Sequence, residues 1–414
     1  MSEFAARSPG LHLFEGVGIE LEYMIVDRAN LAVRPVCDRL FEVASGGAEV
    51  ELDRGEIWWS NELALHVVEL KTARPAPTLD GLAAKFQAQV ADVEALLAPL
   101  GARLMPTAMH PWMDPARETK LWPHEQNDIY RAFDRLFDCK GHGWSNLQST
   151  HINLPFAGDA EFGRLHAAIR VVLPLLPALA ASSPVVEGQL TGLMDNRLEF
   201  YRRNARSIRS VTGRVIPEAV FNQRDYTTRI LDVIAADLKA HGADSVLEPE
   251  WVNARGAIAR FVRDSIEIRV LDVQESPRQD LAVAAAVVAL TQALVEERWS
   301  SFEQQAAWTA PELEEIFLRA TERGGQVYLD EAPYLELFGA RGPTSGRALW
   351  ERLFAELHLP KEHAPALELI ANQGSLAERI RQRLGSEPTG RRLREVYTLL
   401  CDCLREGRGF GVGE

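Results

Sequence analysis

Val17-Gly18-Ile19-Glu20-Leu21-Glu22-Tyr23-Met24-Ile25-Val26 is patterned as a β-strand, entered through the small Gly16-Val17-Gly18 turn. Side chains alternate across a strand, so Glu20 and Glu22 project from one face. Two adjacent anions repel unless a cation lies between them, and a hard divalent metal is the economical solution. The stretch therefore predicts a sheet with one acidic face.

A second strand region runs from about Ile57 to Thr72 and ends at the breaker Ala73-Arg-Pro-Ala-Pro77. It carries Glu62 and, seven residues on, Glu69. An odd spacing places the two on opposite faces of one regular strand, so a bend, a bulge or a turn between two short strands is needed for both to face one site. Glu69 lies among Val67, Val68 and Leu70, where an unpaired charge is costly. Thr78 then reads as the cap of an amphipathic helix with Leu79, Leu82, Phe86, Val90, Val93 and Leu97 on one face, stopped by Pro99 and Gly101.

Residues 105–146 show little periodicity and are rich in Pro, Trp, His, Asp and Gly, a composition typical of functional or mobile segments. A strand from Gln148 to Leu154 follows, with His151 and Asn153 on the face opposite Thr150 and Ile152. A helix opened by Asp159 reaches about Ala181, kinked by Pro174 and Pro177. Arg255 to Val273 alternates again, with Ile266, Ile268 and Val270 on one face and Glu267, Arg269 and Leu271 on the other. Ser276-Pro277 starts a long apolar helix, read as buried. Beyond Trp299 the chain turns to charged, leucine-bearing helical segments without a strand signal, which places a boundary near 300: residues 1–300 as a catalytic unit and 301–414 as a helical one.

The chain has 414 residues, 46% of them hydrophobic, enough for a substantial core. Its formal charge of −14 argues against a sequence-independent nucleic-acid binder. The polar opening Met1-Ser-Glu-Phe-Ala-Ala-Arg7 lacks a secretory pattern, and the run from Leu281 to Val295 is short for a bilayer span, so the expectation is a cytoplasmic protein without a membrane partner. Cys37, Cys139, Cys401 and Cys403 are scattered and lack the companions of a zinc site.

Glutamates on several strands, one strand histidine and several arginines describe a cage for magnesium, which prefers carboxylate oxygen and keeps waters for phosphate. The chemistry implied is phosphoryl transfer, with metal neutralising phosphate charge and arginines holding the transferred group and its carboxylate acceptor. No Gly-x-x-x-x-Gly-Lys-Ser/Thr stretch and no dinucleotide fingerprint occurs.

In this order the pieces resemble the glutamate–cysteine ligase type 2 group, the carboxylate-amine ligases with a glutamine synthetase-like catalytic fold. The matching stretches are Gly18-Ile-Glu-Leu-Glu22, Glu62 through Glu69-Leu-Lys-Thr72, Met109-His-Pro-Trp112, Thr150-His-Ile-Asn153, Ser182-Ser-Pro-Val-Val-Glu-Gly188 into Thr191-Gly192 and Arg197, and Ile266-Glu-Ile-Arg-Val-Leu-Asp272. They span roughly residues 14–298, leaving the helical tail outside. The resemblance implies an α+β fold, a curved antiparallel sheet with outer helices and a C-terminal helical region. It implies ATP and Mg2+, a carboxylate such as glutamate, and an amine such as cysteine.

Carried over by position, Glu20, Glu22, Glu62, Glu69, His151 and Glu267 are metal and phosphate-site residues. Arg197, Arg269 and Glu69 are catalytic, and Lys71, Arg255 and Glu267 bind cofactor. The family usually has two histidines flanking a valine where this chain has Thr150-His151-Ile152-Asn153. It usually has an aromatic residue after the Ser-Pro step, and tyrosines at the positions of Leu193 and Asn196. Two other readings remain open on these residues: the same chemistry on a peptide or carrier protein, and a non-catalytic sensor of ATP or amino acid. A homo-oligomer is compatible with each.

Overall fold

The computed structural model describes residues 10–47, 49–243 and 246–411; the Met1–Arg7 stretch lies outside the described residues. The fold is α+β. Its sheet contains β1 (Gly18–Asp27), β2 (Glu51–Leu52), β3 (Ile57–Asn61), β4 (Val67–Thr72), β5 (Ala102–Met105), β6 (Ser149–Pro155), β7 (Ala257–Arg260) and β8 (Ser265–Asp272). They run in the order β2-β3-β4-β1-β6-β8-β7, every pair antiparallel. One edge of β1 serves two partners: Gly18–Leu21 pairs with β6, and Met24–Asp27 pairs with β5.

The two faces of this sheet differ in chemistry. Ile19, Leu21, Tyr23 and Ile25 of β1, with Val68, Leu70, Ile152, Ile266 and Ile268, are fully buried and belong to the main apolar core. Behind them lie α1 (Leu82–Leu97), α2 (Gly158–Val172) and α3 (Pro277–Val295), with α3 packed against both of the others. The alanine-rich α3 can approach both closely, and each large apolar side chain so buried contributes roughly 1.5–3 kcal/mol. By length and composition Gly158–Ala180 and Pro277–Val295 could each cross a membrane, but 94% and 78% of their apolar windows are buried against protein. They are core helices here.

One buried polar group ties these layers together. Asp280 of α3 accepts from Thr150 Oγ1 at 2.7 Å, from the Gln274 amide at 2.8 Å and from Tyr23 Oη at 3.3 Å. A buried carboxylate so supplied with donors fixes the strands β1 and β6 against the helix. Burial nevertheless pushes its pKa up to about 7.

The structure refines several expectations. The region 57–72 is a hairpin of β3 and β4, which resolves the odd Glu62–Glu69 spacing by a turn. Thr78 caps no helix: its Oγ1 accepts from the Asp80 amide, and α1 begins at Leu82 after Gly81 in a left-handed conformation. Residues 255–273 are likewise a hairpin, turned by Phe261–Arg263 and Asp264 at positive φ. A register shift between Ile268 and Leu271 sets Leu271 opposite Thr150 and buries it, so it does not share the Glu267–Arg269 face. Asp272 instead pairs with Ser149, on the polar face. The segment 105–146 includes an amphipathic helix, Asn127–Phe137, that burial of Ala132 and Phe137 anchors.

Among the described residues beyond 300 the chain is helical, with one small ribbon, Tyr328–Leu329 against Thr344–Ser345, that the composition did not signal. Leu313, Phe317, Trp350, Leu353, Leu367 and Ile370 from this part enter the same apolar core as the sheet. Gly390–Glu406 packs on β5 and α1.

A candidate active site on the polar face of the sheet

Register gathers the strand residues of the site, and the turn after Asn61 adds Glu62. Glu20 stands opposite Lys71 on β4 and His151 on β6, and Glu22 stands opposite Glu69. Glu267 on β8 is opposite Asn153. The alternation that sends Ile19, Leu21 and Tyr23 into the core sends these side chains to the other face.

Two groups of oxygen and nitrogen atoms converge there. Glu22, Glu62 and Glu69 bring one carboxylate oxygen each within 4.8 Å of one another, and Glu20, Glu69 and His151 form a second such group. Glu69 belongs to both. Ser149 donates to Glu22 from its amide at 2.7 Å and from its hydroxyl at 2.9 Å. Ser60 Oγ donates to Glu69, which lies 3.3 Å from Lys71 Nζ; that lysine also meets Glu51 at 2.6 Å. His151 contacts Glu20 through Nδ1 at 2.9 Å and Ser149 Oγ through Nε2 at 2.8 Å, and Asn153 donates to Glu20 at 3.0 Å.

The charges are unevenly compensated. Burial raises the proton affinity of Glu62, and repulsion from Glu69 and Glu22 raises it further, well above the usual carboxylate range. Burial likewise pushes Glu69 up to about 7, with Glu20 and Glu22 adding to it against Lys71. At Glu20 burial acts the same way, but the hydrogen bond and charge of His151 outweigh it and hold this carboxyl below its ordinary value. His151 is shifted upward: burial opposes its charge, and the hydrogen bond to Glu20 with the Glu22 charge prevails. Glu20 thus has His151 bonded directly to it, whereas Glu62 has only the more distant charge of Lys71 against its two carboxylate neighbours.

At the other side of β6, Glu267 is held between two guanidinium groups, Arg260 Nε at 2.9 Å and Arg269 Nε at 2.8 Å. Burial opposes its charge, and the two arginines overcome this and lower its pKa. Arg197, 2% exposed, reaches the same strand by donating from Nη2 to the Arg269 carbonyl at 2.7 Å and lying 3.4 Å from Asp272. It sits on the short helix Asn196–Tyr201, whose N-cap Asp195 accepts from the Leu198 amide, and its guanidinium lies over the Tyr201 ring at 5.8 Å.

The expected residues Glu20, Glu22, Glu62, Glu69, Lys71, His151, Glu267 and Arg269 therefore share one face, with Arg197 against its rim. Arg255 does not join them. Its guanidinium is bound to Glu218 at 2.6 and 2.7 Å and to the Ser210 carbonyl, and no described contact links it to the carboxylates. The strand that was to present it begins only at Ala257, and its partner is a glutamate on a different segment. Arg260, Ser149, Ser60 and Asp272 were not singled out by the sequence reading. Arg260 was detectable only once the 255–273 region was divided by its turn, which sets Arg260 opposite Ser265 and beside Glu267.

The profile of the family described as glutamate-cysteine ligase family 2 (GCS2) matches residues 16–381. The match extends through most of the helical tail, which the residue-by-residue resemblance had left outside. An uncharacterized protein of Archaeoglobus fulgidus is 34% identical over 334 residues, covering 78% of this chain and 89% of that protein. Among solved structures, the glutamate–cysteine ligase (gshA) of Francisella tularensis in complex with AMP superposes with a TM-score of 0.55 at 13% identity, covering 94% of this chain and 88% of its own. With the antiparallel sheet and its carboxylate face in the expected order, the chain belongs to glutamate–cysteine ligase family 2, the ATP-dependent carboxylate-amine ligases.

Proposed function

We propose that the chain joins a small carboxylate, with glutamate the first candidate, to a small amine, with cysteine the first candidate, through an acyl phosphate made with ATP and magnesium. The observation that carries this reading is the Glu22–Glu62–Glu69 group, three carboxylates whose oxygens lie within 4.8 Å of one another and whose charge the single ammonium of Lys71, 3.3 Å from Glu69, offsets only in part. The donor set is all oxygen, with His151 and Glu20 beside it, and it fits a hard divalent ion better than a soft one. Glu22, Glu62, Glu69 and Glu20 would hold magnesium, which when bound neutralises the phosphates of ATP. The family membership, and the AMP held by the Francisella tularensis ligase of the same fold, support a nucleotide as one ligand of this chain.

The chain's own residues have distinct tasks in this scheme. Lys71 lies beside Glu69 and Glu51 and supplies a fixed positive charge at the edge of the acidic face. Arg269, oriented by Glu267, offers its guanidinium to the phosphoryl group or to the acceptor carboxylate, for which its planar fork is suited. Arg197 holds the backbone of Arg269 through its carbonyl and so fixes that orientation. Such preorganised charge, aimed at where negative charge develops, is the main lever available in phosphoryl transfer.

The test is magnesium-dependent phosphate release from ATP, with glutamate alone and then with a panel of amines that includes short peptides. The reading requires release that depends on both a carboxylate and one amine, with the amide identified by mass spectrometry. A protein that binds ATP and stays silent across the panel acts as a sensor instead.

A further inference from the structure

A cavity of about 760 Å³ lies between the segment carrying Leu190–Met194 and the helical tail. Its volume is in the range of small-molecule sites. None of the metal or phosphate residues named above lines it. Met194 and Gln326 form part of the wall, and Arg347, Asn372, Glu378 and Arg381 form the charged and polar part.

The charges of this wall do not cancel. Glu378, buried, is fully engaged: Arg347 Nη2 donates to it at 2.5 Å, the Ser375 amide at 2.9 Å and Gln326 at 3.5 Å. This leaves Arg381. Among the described residues the acceptor bonded by its guanidinium is the thioether of Met194, at 3.5 Å, and no carboxylate pairs with it. A guanidinium has five donors in a planar fork matched to a carboxylate or phosphate, and sulfur is a weak acceptor. One arginine is thus balanced by Glu378 and the other is not. The surrounding carboxamides, Gln326, Asn372 and Gln382, each supply a donor and an acceptor suited to a polar ligand body.

We propose that this cavity is a second small-molecule site, which binds a polar carboxylate of amino-acid or dipeptide size with the carboxylate on Arg381. Met194 also couples the wall to the rest of the chain. It directly precedes Asp195, the cap of the helix that carries Arg197, and Gly324 closes on it so tightly that a Cβ there would lie 3.0 Å from Met194 Cγ.

The experiment is a thermal-shift and calorimetric titration of the full chain without ATP or magnesium. The probes are the proteinogenic amino acids, acidic and amide dipeptides, and inorganic phosphate as a separate arm. The proposal predicts that at least one carboxylate probe raises Tm and gives a measurable Kd. That Kd should weaken roughly tenfold or more in Arg381→Gln, and less in Arg381→Lys, which keeps the charge and loses the fork. Met194→Leu, which removes the competing thioether, should bind at least as well as the wild type. Three results would overturn it: no carboxylate shifting Tm, a shift unchanged in Arg381→Gln, or phosphate binding at Arg381 while the carboxylates do not. Because ATP and magnesium are absent, failure here leaves the phosphate-release test of the sheet face unaffected.

Discussion

Glu22 and Glu69 face each other directly across the β1–β4 pair. Like charges placed so are destabilising in an ordinary sheet, yet here Glu62 closes on the same point. Ser149 and Ser60 donate hydrogen bonds to the first two without supplying charge. Such an arrangement costs folding energy that a bound cation would relieve, which is what the proposed magnesium site would supply.

It follows that removing one of these carboxylates should help the metal-free protein and harm the metal-bound one. Glu62→Gln is expected to raise Tm in EDTA, by an amount corresponding to about 1–2 kcal/mol. The same change should abolish the further rise that magnesium gives the wild type. Differential scanning fluorimetry with and without magnesium reads both effects. A variant less stable than the wild type in EDTA would mean that Glu62 is already compensated.

Arg260 touches Glu267 and not the reacting groups, so it is a positioning residue. Arg260→Met should lower kcat on the order of tenfold, as loss of a group that orients a site residue commonly does, and Arg260→Lys should recover part of it. Steady-state kinetics should place the loss in kcat with a smaller change in KM for the amine. Equal activity of the Met variant would remove Arg260 from the site.

The tail is clamped by a pair with no solvent exposure. Arg379 meets Glu275 at 2.5 and 3.3 Å, and the two hold the Phe410 backbone through its amide and carbonyl. Breaking one partner strands the other's charge. Glu275→Gln is expected to cost about 3–5 kcal/mol, and the double change Glu275→Gln/Arg379→Met to cost less than Glu275→Gln alone. Urea unfolding of the three variants checks the sign.

His166 gives a pH dependence. It is stacked on Phe162, bonded through Nδ1 to the Val220 carbonyl, and held neutral by burial, which lowers its pKa to about 3. The unfolded chain binds its proton near 6.5, so the unfolded state takes up more protons as pH falls from 6.5 toward 3. Stability from this residue is therefore complete above 6.5 and is lost on acidification across that window, by about 2 kcal/mol between pH 7 and 5. Arg170 adds to the effect of burial. Urea midpoints at the two pH values should move less in His166→Gln than in the wild type.

How much of this was legible in the sequence varies with the range of the interactions. Glu20, Glu22 and His151 could be placed on faces because strand alternation is local. Glu62 and Glu69 needed the hairpin turn, which their odd spacing required without locating it. Leu271 was misassigned because the bulge before it depends on pairing with β6, which no local pattern reports. Arg255 was misplaced for the same reason: its partner Glu218 comes from a distant segment. The Glu378–Arg347 pair and the exposed need of Arg381 arise from packing of the tail on residues 190–194, and nothing in the tail's helical periodicity announces a cavity there.

The central claim is that a substrate carboxylate attacks ATP at the acidic sheet face. Its most direct test uses glutamate labelled with 18O in both carboxyl groups, incubated with ATP, magnesium and the amine that supports phosphate release. An acyl phosphate passes one labelled oxygen to phosphate when the amine displaces it, so the account predicts inorganic phosphate carrying a single 18O, and almost none formed by Glu22→Gln. Phosphate released at the same rate without 18O would mean that water attacks ATP directly, and would contradict the account.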